Sequence, residues 1–474
     1  MLFNSLDFAV FLPIVFIIYW FVLNKNVKTQ NLWLLFASYF FYGWWDPRFL
    51  VLIFVSTLID YVVGKELGKT SNDSYRKLLV RTSIFANIGL LAFFKYFNFF
   101  VENFQTAFTF FGGEISSSYS LNIILPIGIS FYTFQSLSYT IDIYRKKITP
   151  ANDFVAFATF VSFFPQLIIG PIERAANMLP QFHKKRNFDV DEGILGVKQI
   201  VWGLFKKIVI ADGCAQYVNA IFIDYETVSS FTLLLGAIYF TIQVYADFSG
   251  YSDIAIGTAR LFNFKLMTNF RYPLFAKNIT EFWRKWHISL MMWFRDYIYF
   301  PLGGSRVSYM KSIRNILIVF VLSGLWHGAN WTFVFMGVYY GFLYSIHYLF
   351  RALYPQKRTA NTHPIIDILK IAFTFSLVTI GMILFRAPSM EVALTYLSRM
   401  ISLDFSLELL NMGRYAIEML PFVIGLLIVE WFSRKKSFPL ASHRFSLLQM
   451  AIVIALIIFF GSFSDMQEFI YFKF

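Results

Sequence analysis

From Phe8 to Phe463 the chain is a succession of apolar runs separated by short polar interruptions. No polar stretch between them is long enough to build a water-soluble core, so the pattern predicts an all-α polytopic membrane protein. The runs correspond to about 11–12 transmembrane helices plus re-entrant and interfacial ones. With 57% hydrophobic and only 15% charged residues, residues 1–474 read as a single membrane domain. Within it, 1–144 form N-terminal spans, 145–350 a core, and 351–474 C-terminal spans and a tail. The first run, Phe8 to Leu23, has no preceding Lys or Arg and no small-residue cleavage site after it, and is expected to be a retained span. The single cysteine, Cys214, excludes an internal disulfide or a cysteine-based metal site, and no other metal site is expected.

The net charge of +13 is distributed in short clusters between apolar runs, at Lys25 and Lys28, Lys65 to Arg81, Arg145 to Lys147, Lys184 to Arg186, and Arg434 to Lys436. That is a positive-inside pattern, and it argues against nucleic acid as the partner. Placing the clusters in the cytoplasm puts both termini outside, with spans near 8–23, 31–45, 49–64, 82–104 and 122–144. The loop 105–121, which has no Lys or Arg, then lies outside. Phe154 to Ile172 has basic clusters on both sides. Pro165, Gly170 and Pro171 would break it at mid-depth, so "FFPQLIIGPIER" reads as a re-entrant, cavity-lining hairpin, with a kinked ordinary helix as the alternative.

Lys206 and Lys207 suggest that 194–207 lies along the cytoplasmic interface before a crossing at 208–223, and 231–258 returns. Between 260 and 314, Trp283, Trp286 and Trp293 mixed with Arg284, Lys285 and Arg295 suit interfacial amphipathic helices. Ile313 to Trp326 spans only 14 residues. As a helix that is roughly 21 Å, short of a hydrocarbon thickness of about 30 Å, so His327 in "FVLSGLWHGANW" falls within the membrane region. Further spans follow near 331–350, 366–385, 415–433 and 446–463.

Of six histidines, His183, His363 and His443 lie beside Lys, Arg or Pro in loops, and His347 reads as a structural residue in a span. His287 and His327 each follow a tryptophan. An imidazole at membrane depth is a functional candidate, able to take a proton from a hydroxyl during acyl transfer. Gly324 and Gly328 would let the backbone approach a substrate closely. A hydrogen-bonded structural histidine is the competing reading. No HExxH, CxxC, GxSxG or glycine-rich phosphate loop is present, so metal hydrolysis, serine hydrolysis and nucleotide use have no motif behind them. A lipid or polysaccharide transporter is the alternative of a different class, although the hydropathy shows no inverted repeat.

"WRKWHISLMMWFRDYIYFPLGG" and "FVLSGLWHGANWTFVFMGVYYG", preceded by "SFFPQLIIGPIER" and "YADFSGYSDIAIG", resemble the membrane-bound O-acyltransferases, and within them the bacterial branch that O-acetylates alginate and peptidoglycan. The resemblance runs from "MLFNSLDFAVFLP" to the last residues. It implies tilted helices around a central tunnel in the bacterial cytoplasmic (inner) membrane, with His327 as catalytic base and His287 as its companion. It also implies a cytoplasmic thioester donor, acetyl-CoA or the phosphopantetheine thioester of an acyl carrier, and no permanently bound cofactor. The acceptor would be a polysaccharide, reached through a periplasmic or extracellular transferase- or esterase-like partner.

Under this reading Asn330 and His287 are oxyanion candidates, and Trp286 and Trp326 lie along the tunnel. Arg284, Lys285 and Arg295 attract a donor phosphate or anchor the membrane surface. Asp247, Ser249 and Asp296 hold the tunnel wall through basic partners, and Gly170 and Pro171 line the re-entrant part. The tail "SDMQEFIYFKF" is similar to the C-terminal motif of the partner peptide of teichoic acid D-alanylation, a resemblance that implies a tyrosine accepting the acyl group. By that analogy Tyr471 is an acyl relay; the alternative is an aromatic interface anchor. D-alanyl transfer to teichoic acid is the competing enzymatic reading.

Overall fold

The computed structural model describes residues 1–111, 121, 123–354, 363–402, 415–441, 446–463 and 467–472, with 415, 416, 446 and 471 described in their main chain only. Among the described residues all regular structure is helical. Among the same residues six helices are long and apolar enough to cross a membrane: Pro47–Lys69, Asp73–Phe110, Ser230–Leu261, Tyr309–His327, Trp331–Leu353 and Pro364–Arg386. Shorter apolar helices lie at Leu6–Val22 and Leu447–Phe460. The chain is a multi-pass membrane protein. It divides into two compact units, Met1–Gly193 with Ala259–Leu266, and Ile194–Thr258 with Met267–Phe474.

The first unit contains α1 (Leu6–Ile17), which passes into a π turn at Ile18–Val22, then α2 (Val27–Gly43), α3 (Leu50–Lys69), α4 (Asp73–Phe110), α5 (Ile129–Tyr144), α6 (Phe154–Ser162), α7 (Phe164–Leu167) and α8 (Ala175–His183). Ser5, Asn26, Asn72 and Asp153 start their helices by accepting main-chain N–H bonds. Because Asn72 caps at that point, the polar stretch before the span expected at 82–104 is already helical. The 38-residue α4 is about 57 Å long. Its far end takes up the first part of the expected loop 105–121, most of whose remainder lies outside the described residues.

Buried between α3, α4 and α5, Asp60 accepts bonds from Ser83 Oγ at 2.6 Å and Asn87 Nδ2 at 2.9 and 3.1 Å, and Thr140 and Ser56 extend the network. A carboxylate is accommodated there by neutral donors. The segment expected to be re-entrant is broken. Phe163 leaves helical geometry at φ −50°, ψ 108°, and Pro165 occupies the first turn of α7. The chain then stays non-helical until α8. A Cβ at Gly170 would lie 2.3 Å from Gln166 Cα, so the turn after α7 requires glycine. Every residue from Ala156 to Glu173, including Gly170 and Pro171, is buried, which is the condition for irregular backbone at membrane depth.

The second unit begins at Ile194 within α9 (Val190–Leu204), which continues through a π segment at Phe205–Ala211 into α10 (Asp212–Ile223) as one rod. It turns into α11 (Ser230–Leu261). The expected interfacial helix over 194–207 is therefore not a separate element. Lys206 and Lys207 are 3% and 1% exposed in their side chains, because carboxylates from α10 and α11 neutralise them inside the protein. α9 and α11 pack backbone to backbone: a Cβ on Gly203 would lie 2.5 Å from the Gly250 carbonyl, and one on Gly257 would lie 2.6 Å from that of Gly196.

The unit continues with α12 (Ile279–Lys285), α13 (Ile288–Phe294) extended by a π turn at Arg295–Tyr299, α14 (Tyr309–His327), α15 (Trp331–Leu353), α16 (Pro364–Arg386), α17 (Met390–Ile401), α18 (Tyr415–Ser433) and α19 (Ser446–Phe460). α14 and α15 form a tight hairpin. A Cβ on Gly324 would meet the Phe333 carbonyl at 2.2 Å, and one on Gly328 would meet the Phe333 ring at 2.1 Å. Both glycines thus serve the packing of the α14–α15 corner. His443 lies outside the described residues.

Candidate active site

His327 is the last residue of α14, and the chain leaves helical geometry at Gly328. Asn330 then caps α15: its Oδ1 accepts from Thr332 N at 3.0 Å and its Nδ2 donates to the Pro388 carbonyl at 2.9 Å. Both ends of that amide are engaged in holding the α14–α15 corner. His287 sits at the junction of α12 and α13 with φ 42°, ψ 52°, a left-handed conformation that costs energy for a side chain with a Cβ. Neighbours hold it there. Its carbonyl accepts from Met291 N, Ile288 N donates to Asn269 O at 2.9 Å, Ser289 Oγ donates to Asn269 Oδ1 at 3.0 Å, and Arg271 N donates to Lys285 O.

The fold brings both histidine rings against one indole. Trp326 lies 5.6 Å from the His287 ring and 5.1 Å from that of His327, between centroids. Phe248 packs edge-on against His287 at 4.6 Å, and Phe385 against His327 at 5.5 Å. Trp286 stacks on Phe282 and meets Phe270 edge-on. His287 is 1% exposed and His327 5%, close enough to interact electrostatically. An imidazole in such aromatic surroundings works with little competition from water.

A cavity of about 720 Å³ lies in the same unit, and neither histidine lines it. Ile288, Met291 and Arg295 of α13 line it, starting with the residue after His287, and so do Ile316, Val319 and Phe320 of α14. Phe320 is two helical turns, about 10 Å, before His327. Arg284, Arg295 and Arg351 supply cationic groups, and Trp283, Tyr344 and Tyr348 supply aromatic wall. A chamber with an apolar floor and guanidinium groups suits an anionic head with a long flexible arm.

Lys285 pairs instead with Glu281 at 2.7 Å, and Asp296 accepts from Arg295 Nε at 2.8 Å. Arg351 was not anticipated, because an arginine at the end of an apolar span reads as ordinary snorkelling. Its place a turn after His347 was the available signal.

Asp247 and Ser249 belong to a buried ionic cluster. Lys206 Nζ donates to Ser249 Oγ at 2.9 Å and pairs with Asp253 at 2.6 Å, while Lys207 pairs with Asp212 at 2.7 Å and Asp247 at 2.9 Å. The Tyr245 hydroxyl lies 2.8 and 2.9 Å from the oxygens of Glu430, itself buried. Sequence reasoning missed Lys207 and Glu430, although four carboxylates inside apolar runs called for cationic partners. Gly170 and Pro171 belong to the first unit. The Tyr471 side chain lies outside the described residues. Its main chain forms a turn, Ile470–Phe472, directly after Phe469, which is buried against Phe248 and Tyr251.

Two buried histidines and an arginine-lined cavity thus lie in one unit of this helical membrane protein. The chain belongs to the membrane-bound O-acyltransferase family, whose model matches residues 146–386 and so covers both Trp–His pairs. It is an O-acyltransferase. Among its relatives, the peptidoglycan O-acetyltransferase of Helicobacter pylori is 35% identical over 96% of this chain and 89% of its own length. The probable alginate O-acetylases of Pseudomonas putida and Pseudomonas aeruginosa are 37% and 39% identical, over 91% and 83% of this chain and 87% and 73% of theirs.

Proposed function

We propose that the protein transfers acetyl groups from a cytoplasmic thioester to a cell-envelope or extracellular polysaccharide, alginate-like or peptidoglycan, with residues 1–474 working as one catalytic domain in the bacterial cytoplasmic membrane. The names of the relatives support the acetyl group and the class of polymer. The observation that carries the chemistry is the buried His287–Trp326–His327 arrangement, with an arginine-lined cavity in the same unit that begins at Ile288, the residue after His287.

In this reading the phosphates of acetyl-CoA, or of an acyl carrier's phosphopantetheine, are held by Arg284, Arg295 and Arg351. The thioester arm lies along Trp283, Ile288 and Met291 and delivers its carbonyl to the histidines. An acceptor hydroxyl attacks that carbonyl while His327 takes its proton. The new C–O bond forms, the C–S bond breaks, and the imidazolium returns the proton to the departing thiolate. His287 faces the carbonyl oxygen as the charge on it grows. The rings around both histidines keep water from hydrolysing the thioester. Tyr471 is the first acceptor, passing the acetyl group to a periplasmic or extracellular partner that esterifies the polymer.

The decisive variant is His327→Ala. Ester-linked acetate on the polymer is expected to fall by at least about a hundredfold while the protein stays in the membrane. Acetate at the wild-type level would remove His327 from the reaction. In a deletion strain, loss of D-alanine esters instead of acetate would favour teichoic acid as the acceptor. A polymer that keeps its esters but is not exported would favour a transporter.

A further inference from the structure

The acyl-transfer chemistry leaves Lys207 and Asp247 unused, and mutual pairing does not account for all of their bonds. An ammonium has three N–H donors. Lys207 Nζ donates to Asp212 Oδ1 at 2.7 Å and to the main-chain carbonyl of Gln467 at 2.9 Å, and it forms an ion pair with Asp247 Oδ1 at 2.9 Å. The other oxygen of Asp247, Oδ2, accepts the main-chain N–H of Ile470 at 2.9 Å. The pair thus offers one donor and one acceptor to the C-terminal segment, which answers with a carbonyl and an N–H three residues apart.

Between those two bonds Phe469 is completely buried, with its ring 4.8 Å from Tyr251 and 5.7 Å from Phe248. Upstream, Ser462 N donates to the Ile208 carbonyl at 3.1 Å, which fixes where the chain leaves α19. Phe248 also touches the His287 ring at 4.6 Å, so the place where the segment is held adjoins the histidine pair.

We propose that Lys207 and Asp247 form a seat for the chain's own C-terminal segment. The seat recognises the main chain of Gln467–Ile470 and the ring of Phe469, and the two residues thereby act as positioning residues for residue 471. Both tail bonds are charge-assisted and the one to Asp247 is buried, which makes them stronger than ordinary peptide contacts. What the seated segment does rests on the relay reading above; that it is seated does not.

Hydrogen exchange read by mass spectrometry on the full-length protein tests the seat. Asp247→Asn weakens the acceptor, and Ile470→Pro removes the donor from the tail side without touching the cluster. Each is expected to raise exchange of the main-chain amides over 467–472 by roughly tenfold to a hundredfold, with α14 unchanged. Asp253→Asn breaks the neighbouring pair with Lys206 and is expected to leave the tail protected. If Asp247→Asn does not fold, Ile470→Pro decides alone.

Tail exchange unchanged in Ile470→Pro overturns the seat, and so does release of the tail by Asp253→Asn to the same extent. Polymer acetate measured on the same variants separates the two readings: a released tail with acetate unchanged upholds the seat and removes Tyr471 from the reaction.

Discussion

α4 and α11 are both long and apolar enough to cross a bilayer, yet 11% of the most apolar window of α4 is buried in the protein and 78% of that of α11. α4 turns Phe85, Phe93, Phe100 and Phe104 outward, and a Cβ at its Gly89 would meet nothing within 4 Å. α11 carries Asp247, Ser249, Ser252 and Thr258, all buried, and its Gly250 and Gly257 touch the backbone of α9. Apolarity tells that a helix enters the membrane. The small and polar residues on it tell whether it faces lipid or protein. The two units repeat the contrast in their buried carboxylates: Asp60 is held by a hydroxyl and an amide, Asp247 by an ammonium and a main-chain N–H.

The contrast can be broken most forcefully at Lys207. Lys207→Met would leave Asp212 and Asp247 buried without their cation, and a loss of about 3–5 kcal/mol is expected, seen as a large drop in melting temperature in detergent. A small drop would mean that water reaches the cluster. Next comes Gly203→Ala, whose Cβ would press on the Gly250 carbonyl. Two backbones must separate to admit it, so a cost of about 1–3 kcal/mol is expected, and a neutral outcome in the same melt would show that α9 and α11 are loosely apposed. Gly89→Ala on α4 should have the smallest effect and the opposite sign, a gain of roughly 0.5–1 kcal/mol from helix propensity alone. A loss there would reveal that something covers that face.

Helix positions were legible wherever one rule dominated. Apolar runs mark α15, α16 and α18 to within a few residues. Pro165 and Gly170 mark the broken segment, since neither fits a continuing helix. Asn330, directly before an apolar run, carried a readable cap signal, and the structure uses it as a cap.

What could not be read depends on pairing across distance. The loop rule treats Lys206 as a solvated charge, whereas its partners Ser249 and Asp253 lie 43 and 47 residues further along the chain. The meeting of His287 and His327 is invisible to spacing for the same reason. Two short helices and a left-handed backbone at His287 intervene in aiming the first ring. Family resemblance named the two residues, and the fold brings them together.

The π segment at Phe205–Ala211 carries both lysines of the cluster. A π turn is an α-helix holding one surplus residue. Deleting one residue within it would let the rod relax to regular α geometry at nearly unchanged length and with its two halves in nearly unchanged phase, but the side chains inside the segment would be redirected. Lys206 and Lys207 could not then both keep their present partners. The surplus residue is thus a vernier: it alters the angular spacing of side chains within the segment, where the ammonium groups of Lys206 and Lys207 reach separate acids, Asp253 and Asp247, on a single facing helix.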